Sequence, residues 1–415
     1  MYNAYHTIVV RKYLDRLFIT QRNVTVSDQT YVEVTTLPSD IQHNWERNET
    51  QMLEIFVLSA IGINCSIYDG YQAEFKLSGW MASKHSNTVI KCCIIMNSGA
   101  LIEYYRPFRC RGRNISLTSS QITCPIQSPL QDVKGIALQF AGRKCQQKNI
   151  KPSVPIKPTN NESFAICLKI LFGQVDVGLL VEWLEYNRLI GVDKIFMFTY
   201  NITREVSDVL KQYINVGFVE KRPYSYPSNK EYQVGEKLRS YWEDEQVVVY
   251  DCYQRLSLYR YISIIDMDEF IVPRKHDNIK DMMRYLMTIY PRAGGFSITP
   301  YLFLKNVHQN ISSVKNNSNI GRYFERTRGL KGAKSRTKNI VLPSRISTKG
   351  YHTHRFLPVL DYKKYRVMVS VTSLNHYRYC YSNLQNLCNG SLIKDTYILK
   401  FFNRLKEKTQ IVYYN

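Results

Sequence analysis

Between Phe164 and Ile265, short runs rich in β-branched and aromatic residues alternate with segments whose apolar residues recur every three or four positions. No other feature restricts the fold as much. Phe164–Ile170, Lys194–Tyr200, Phe218–Lys221 and Tyr261–Ile265 read as strands, and Val177–Ile190, Ser207–Asn215 and Glu245–Leu256 as helices. Asp176 and Ser207 are the expected N-caps and Gly191 the expected C-cap. The alternation predicts an α/β domain with a mostly parallel central sheet, and in such sheets ligands sit beyond the carboxyl ends of the strands where strand order reverses.

The residues before this region carry a different pattern. Residues 1–50 are polar and weakly patterned, whereas Glu54–Ala60, Ala73–Leu77, Thr88–Met96, Ala100–Tyr105 and Gly135–Phe140 read as short strands of a smaller β-rich module spanning 51–145. Gln146–Glu162, with Pro152, Pro155 and Pro158 among Lys and Asn, reads as an extended, exposed linker. The α/β domain then occupies 163–385, and 386–415 form a C-terminal tail.

A carboxylate pair, Asp266-Met267-Asp268, stands directly after the apolar Tyr261–Ile265. Two hard oxygen donors at i and i+2, held still by a buried strand, suit Mn²⁺ or Mg²⁺ shared with a diphosphate. The cation would act as a Lewis acid on the departing nucleotide diphosphate.

Lys+Arg exceed Asp+Glu by 56 to 34, so the surface attracts anions. Basic residues gather over Arg322–Lys338, but no uninterrupted basic run or zinc-finger spacing appears, and nucleic acid is not the expected partner. Asn-x-Ser/Thr occurs at Asn23, Asn48, Asn64, Asn114, Asn161, Asn201, Asn310, Asn316 and Asn389, beside ten cysteines without metal-type spacing. A lumenal, disulfide-bearing chain fits that combination. Met1–Asp15 lacks the apolar core of a signal peptide, so the expectation is either an anchor or signal preceding Met1, with membrane association through it, or unconventional entry.

From about Phe164 to Arg378 the chain resembles glycosyltransferase family 92, the galactosyltransferase-like family with a GT-A fold. The resemblance rests on Glu182-Trp183-Leu184-Glu185-Tyr186 with Gly191-Val192, Gln246 to Asp251-Cys252, and Ile265-Asp266-Met267-Asp268-Glu269-Phe270. Lys338-Asn339-Ile340-Val341-Leu342-Pro343, His352 and Asn375-His376-Tyr377-Arg378 continue it, and it extends weakly to Leu58-Ser59-Ala60 and Cys124-Pro125-Ile126. It implies inverting transfer of galactose from its uridine diphosphate donor to a glycan acceptor in the Golgi or another secretory lumen. It places the metal on Asp266 and Asp268, with a histidine as third ligand; His352, His354 and His376 are the candidates and His352 is preferred.

The remaining roles follow from chemical need. Gln246 and Asp251 are the candidates for a donor-sugar contact, and, about 140° apart around one helix, at most one of them faces the ligand unless the helix ends between them. Lys338 and Arg345 are candidates for the diphosphate. Inversion needs a carboxylate to take the acceptor proton, for which Glu325 is preferred over Glu269. The rival reading is a catalytically silent glycan- or anion-binding protein on the same fold, which the intact aspartate pair disfavours. Asn306–Asn319, rich in Asn and Ser, departs from the family pattern.

Overall fold

The computed structural model describes residues 42–44, 47–48, 51–68, 71–83, 87–109, 118–140, 142, 144–145, 149–225, 241–305, 319–328, 336–347, 351–379 and 391–414. Outside them lie most of the 1–50 lead segment, the sequons at Asn23, Asn114, Asn310, Asn316 and Asn389, Cys110, Cys380 and Cys388, Lys331 and Lys334, and nearly all of the Asn306–Asn319 stretch.

The leading module is antiparallel throughout. β1 (Gln42–Asn44), β3 (Gln51–Tyr68), β4 (Tyr71–Ser83) and β7 (Thr118–Ile126) form one sheet, with β2 (Arg47–Asn48) on β3; β6 (Leu101–Arg109), β5 (Asn87–Met96) and β8 (Val133–Phe140) form a second. Phe75, Leu77, Ile90, Ile94, Ile136 and Leu138 fill the core between them. Successive side chains on a strand face opposite ways, so the adjacent Cys92 and Cys93 make separate disulfides, to Cys124 and Cys145.

The expected exposed linker is extended but pinned at both ends. Ile150 exchanges backbone hydrogen bonds with Ile136, Ser153 with Ala60 and Gly62, and the Ile156 N–H donates to the Arg255 carbonyl. Ile150 and Pro155 are buried, since a proline needs no backbone donor satisfied and an isoleucine gains by leaving water.

Seven strands make the central sheet, in the order β11 (Val219–Pro223), β10 (Lys194–Ile202), β9 (Phe164–Gly173), β12 (Tyr261–Ile264), β17 (Lys338–Val341), β14 (Ala293–Ile298) and β18 (Lys363–Arg366). β9 through β12 are parallel neighbours, but β17 runs antiparallel to both β12 and β14. β14 and β18 are again parallel, so four of the six pairings are parallel, as expected, and β17 is the antiparallel exception. The chain steps outward from β9 to β10 and β11, then returns to β12 on the other side of β9, so strand order reverses between β9 and β12.

Helices α1 (Val177–Leu189), α2 (Arg204–Asn215), α3 (Tyr241–Arg255) and α4 (Ile279–Ile289) connect these strands. Asp176 caps α1 by accepting from the Leu179 N–H at 3.1 Å. Gly191 follows that helix at φ 94°, a conformation glycine adopts without penalty. α2 starts earlier than expected, because Thr203, not Ser207, accepts from the Val206 N–H and satisfies an orphan donor. Among the described residues no helix is long and apolar enough to cross a membrane.

A second mixed sheet, β13 (Glu269–Pro273), β19 (Thr372–Arg378), β15 (Pro300–Leu304), β16 (Glu325–Thr327) and β20 (Leu392–Lys394), packs beside the first. The expected tail is part of this body. β20 pairs with β16, Ile398 and Phe401 just before helix α5 (Phe402–Tyr414) and Leu405 within it are buried in the main core, and Asp395 joins Arg274 and Arg326. Leucine, isoleucine and phenylalanine at helical spacing need a partner surface, which α1 supplies.

Cys167 on β9 and Cys252 on α3 form a third disulfide, closing a sequence separation of 85. Replacing both by alanine is expected to lower the unfolding free energy by about 2–4 kcal/mol, read from the denaturant midpoint. An unchanged midpoint would show that packing alone holds α3 on the sheet.

Candidate active site

β12 ends at Ile264, and the chain turns back into β13 through Asp266-Met267-Asp268. The Glu269 N–H donates to the Asp266 carbonyl at 3.0 Å and closes the turn. In return the Asp266 N–H donates to Glu269 Oε2 at 2.9 Å. The Asp268 carbonyl accepts from the Tyr377 N–H at 2.8 Å, fixing the turn to β19. Backbone bonds thus place both aspartates at the carboxyl end of β12, beside the point where strand order reverses. Their side chains remain 39% and 38% exposed.

Two buried lysines close on Asp266. Lys338 lies 2.9 Å from Asp266 Oδ2 and 2.9 Å from Glu269 Oε2, and Lys169 lies 2.7 Å from Asp266 Oδ1 while also donating to Glu245. The antiparallel course of β17 explains Lys338, because that strand begins where β12 ends. Burial pushes the Asp266 carboxyl up, but the two ammonium groups outweigh it and hold the carboxyl well below the usual carboxylate range. For Glu269 burial prevails over Lys338 and the carboxyl is raised. Burial also raises Asp268, and the neighbouring His376 more than reverses it.

His376 is the imidazole at the pair. Its Nε2 lies 3.1 Å from Asp268 Oδ2 and its Nδ1 3.6 Å from Glu269 Oε1, as the pairing of Glu269 with His376 in the β13–β19 ladder dictates. α1 supports this sheet from behind, where Trp183 Nε1 donates to the Glu269 carbonyl and the Tyr186 hydroxyl to that of Ile271, each at 2.9 Å. Around the turn, the carboxylates of Glu245, Asp266, Asp268 and Glu269 face the ammonium groups of Lys169 and Lys338, with the charges of Lys305 and Arg378 acting on Asp268 as well. Among the described residues no three His, Cys, Asp or Glu side chains are grouped to hold a metal ion by themselves.

The sequence model of glycosyltransferase family 92 matches residues 162–414. The chain belongs to glycosyltransferase family 92. Among solved structures, the apo form of the bifunctional glycosyltransferase WbbM is similar at a TM-score of 0.22 and 9% identity, over 40% of this chain and 26% of that one. The exo-β-D-glucosaminidase CsxA, in complex with inhibitors, is similar at 0.18 and 11%, over 52% and 28%. The chain therefore spans about a quarter of the length of these two neighbours, and at such TM-scores neither likeness carries an argument. A comparison with curated proteins finds no match.

Within this family 92 domain the candidate residues separate. Asp266, Asp268, Glu269, Lys338 and His376 meet in one cluster; His352 does not join it, because its Nδ1 is bonded to Gln246 Oε1 at 2.8 Å. Gln246 in turn donates to the Tyr351 carbonyl, so its amide holds the turn that carries His352. His354 is bonded to the Thr337 carbonyl, and burial together with Lys338 brings it down to about 4. Asp251 is wholly buried in a two-bond ion pair with Arg255, both contacts at 2.8 Å, and has no surface to offer a donor sugar.

Arg345 donates to the Pro291 and Ala293 carbonyls and lies over the Tyr362 ring, bracing β14 rather than facing the aspartates. Lys338 is at the site, but its ammonium is held between two carboxylates. Glu269 is 2% exposed and bonded on Oε2, which removes it as the base for an acceptor hydroxyl. Glu325 sits half-buried on β16, opposite Lys394. Lys169 and Glu245 were missed. The available signal was a lone lysine inside the otherwise apolar run Phe164–Ile170.

Proposed function

We propose that this family 92 domain, built on a GT-A type fold, transfers a hexose with inversion from a nucleotide sugar, galactose from uridine diphosphate galactose, to a glycan acceptor. The observation that carries the reading is the paired, part-exposed Asp266 and Asp268 at the strand-order reversal. Hard oxygen donors fit Mn²⁺ or Mg²⁺, and the lack of a three-ligand grouping among the described residues fits a cation completed by the diphosphate. Asp266 and Asp268 would hold it, and His376, not the His352 preferred from the sequence, is the imidazole beside them. When bound, such a cation neutralises charge on the leaving diphosphate.

The chain's own groups orient this chemistry. Glu269 and Lys338 fix the Asp266 carboxylate, and the β13–β19 ladder fixes His376 against Asp268. Exposed asparagines in three sequons, Asn64, Asn161 and Asn201, together with three disulfides, support a lumenal, Golgi-type compartment. Purified protein with Mn²⁺ and a panel of nucleotide sugars should release nucleotide from one donor, and release from none rejects the enzyme reading.

For the acceptor proton we propose Glu325. Glu325→Gln is expected to cut transfer by about 10²–10⁴-fold while metal-dependent binding of uridine diphosphate stays unchanged. Near-full transfer by this variant assigns the proton to another group.

A further inference from the structure

Lys169 stands in an unusual stretch of backbone. The register between β9 and β10 shifts between Phe196 and Phe198, opposite Cys167 and Ile170, and within that bulge Lys169 takes φ 67°. A non-glycine residue holds such a conformation only where its surroundings over-determine it. The bulge re-aims the side chain, as bulges beside functional sites do. Its ammonium thereby lies between Glu245 and Asp266 Oδ1, while Lys338 covers Oδ2. Both oxygens of a part-exposed aspartate are neutralised from within the protein.

A cation can bind Asp266 only by displacing one of these ammonium groups or sharing an oxygen with it, and the two lysines are not equivalent. Lys338 is 2% exposed, lies in a regular ladder, and is shared with a Glu269 side chain that is 3% exposed. Lys169 is 9% exposed, sits on the strained bulge, and stands where β9 meets β12. It is the ammonium with somewhere to go.

We infer that Lys169 is an exchangeable counter-ion: it neutralises Asp266 in the ligand-free protein and turns to the diphosphate of the nucleotide donor when that anion arrives, freeing an Asp266 oxygen for the cation. The inference rests on the nucleotide-sugar reading above. It makes cation and diphosphate reciprocal partners, each raising the other's affinity, with Lys169 carrying part of that coupling.

Calorimetry with Mn²⁺ alone and with Mn²⁺ in saturating uridine diphosphate measures the coupling directly. In Lys169→Gln, which retains a hydrogen-bond donor toward Glu245 and Asp266, Mn²⁺ is expected to bind the ligand-free protein more tightly. The ratio of the two Mn²⁺ affinities should fall by about tenfold. Glu245→Gln leaves Lys169 to Asp266 alone and should move the ratio the opposite way, which keeps the test open if the first variant does not fold. A fixed through-space charge changes Mn²⁺ affinity equally in both conditions, so an unchanged ratio in the folded variants overturns the inference. No coupling in the unaltered protein rejects the nucleotide-sugar reading itself.

Discussion

Asp268→Asn is expected to lower turnover roughly 10³-fold, equivalent to about 4 kcal/mol of transition-state stabilisation. The substitution removes a charge from the part-exposed carboxylate that meets His376. It leaves the turn intact, because the bonds that shape it run through the Glu269 N–H, the Asp266 N–H and the Asp268 carbonyl. Steady-state kinetics beside a thermal melt therefore separates chemistry from folding. An unchanged melt with lost turnover is the expected pair of results; retained turnover rejects the metal-dependent mechanism.

The second large effect concerns stability. Asp251→Ala strands the Arg255 guanidinium, 4% exposed, without its carboxylate, and the loss of one partner from a buried ion pair costs about 3–5 kcal/mol. Arg255 also donates to Ser153 and lies 5.0 Å from the centre of the Phe196 ring, so the damage reaches the segment that ties the leading module to α3. Chemical denaturation should show the full loss, while the donor KM of the folded protein stays as it was. A stable variant with a raised donor KM would return Asp251 to the sugar site.

The difference between Asp251 and Asp268 shows where sequence reasoning stops. Both are aspartates inside family-like blocks, and nothing local separates them. Asp268 follows a strand at a turn that leaves its side chain part-exposed, whereas Asp251 faces inward from α3, four residues from an arginine that can reach it. Only packing told which face of the helix was covered.

The strands and helices from Phe164 to Ile264, the Asp176 cap and the position of the aspartate pair were all legible, because apolar periodicity and capping act over a few residues. The sequence by itself therefore determined the local elements and the family. The tertiary structure alone decided that β17 runs antiparallel, which delivers Lys338 to Asp266, and that β19 pairs with β13, which delivers His376 instead of His352. Both are pairings between segments roughly seventy to a hundred residues apart, set by how two sheets bury their apolar faces together, and no pattern within either segment encodes which partner it will meet.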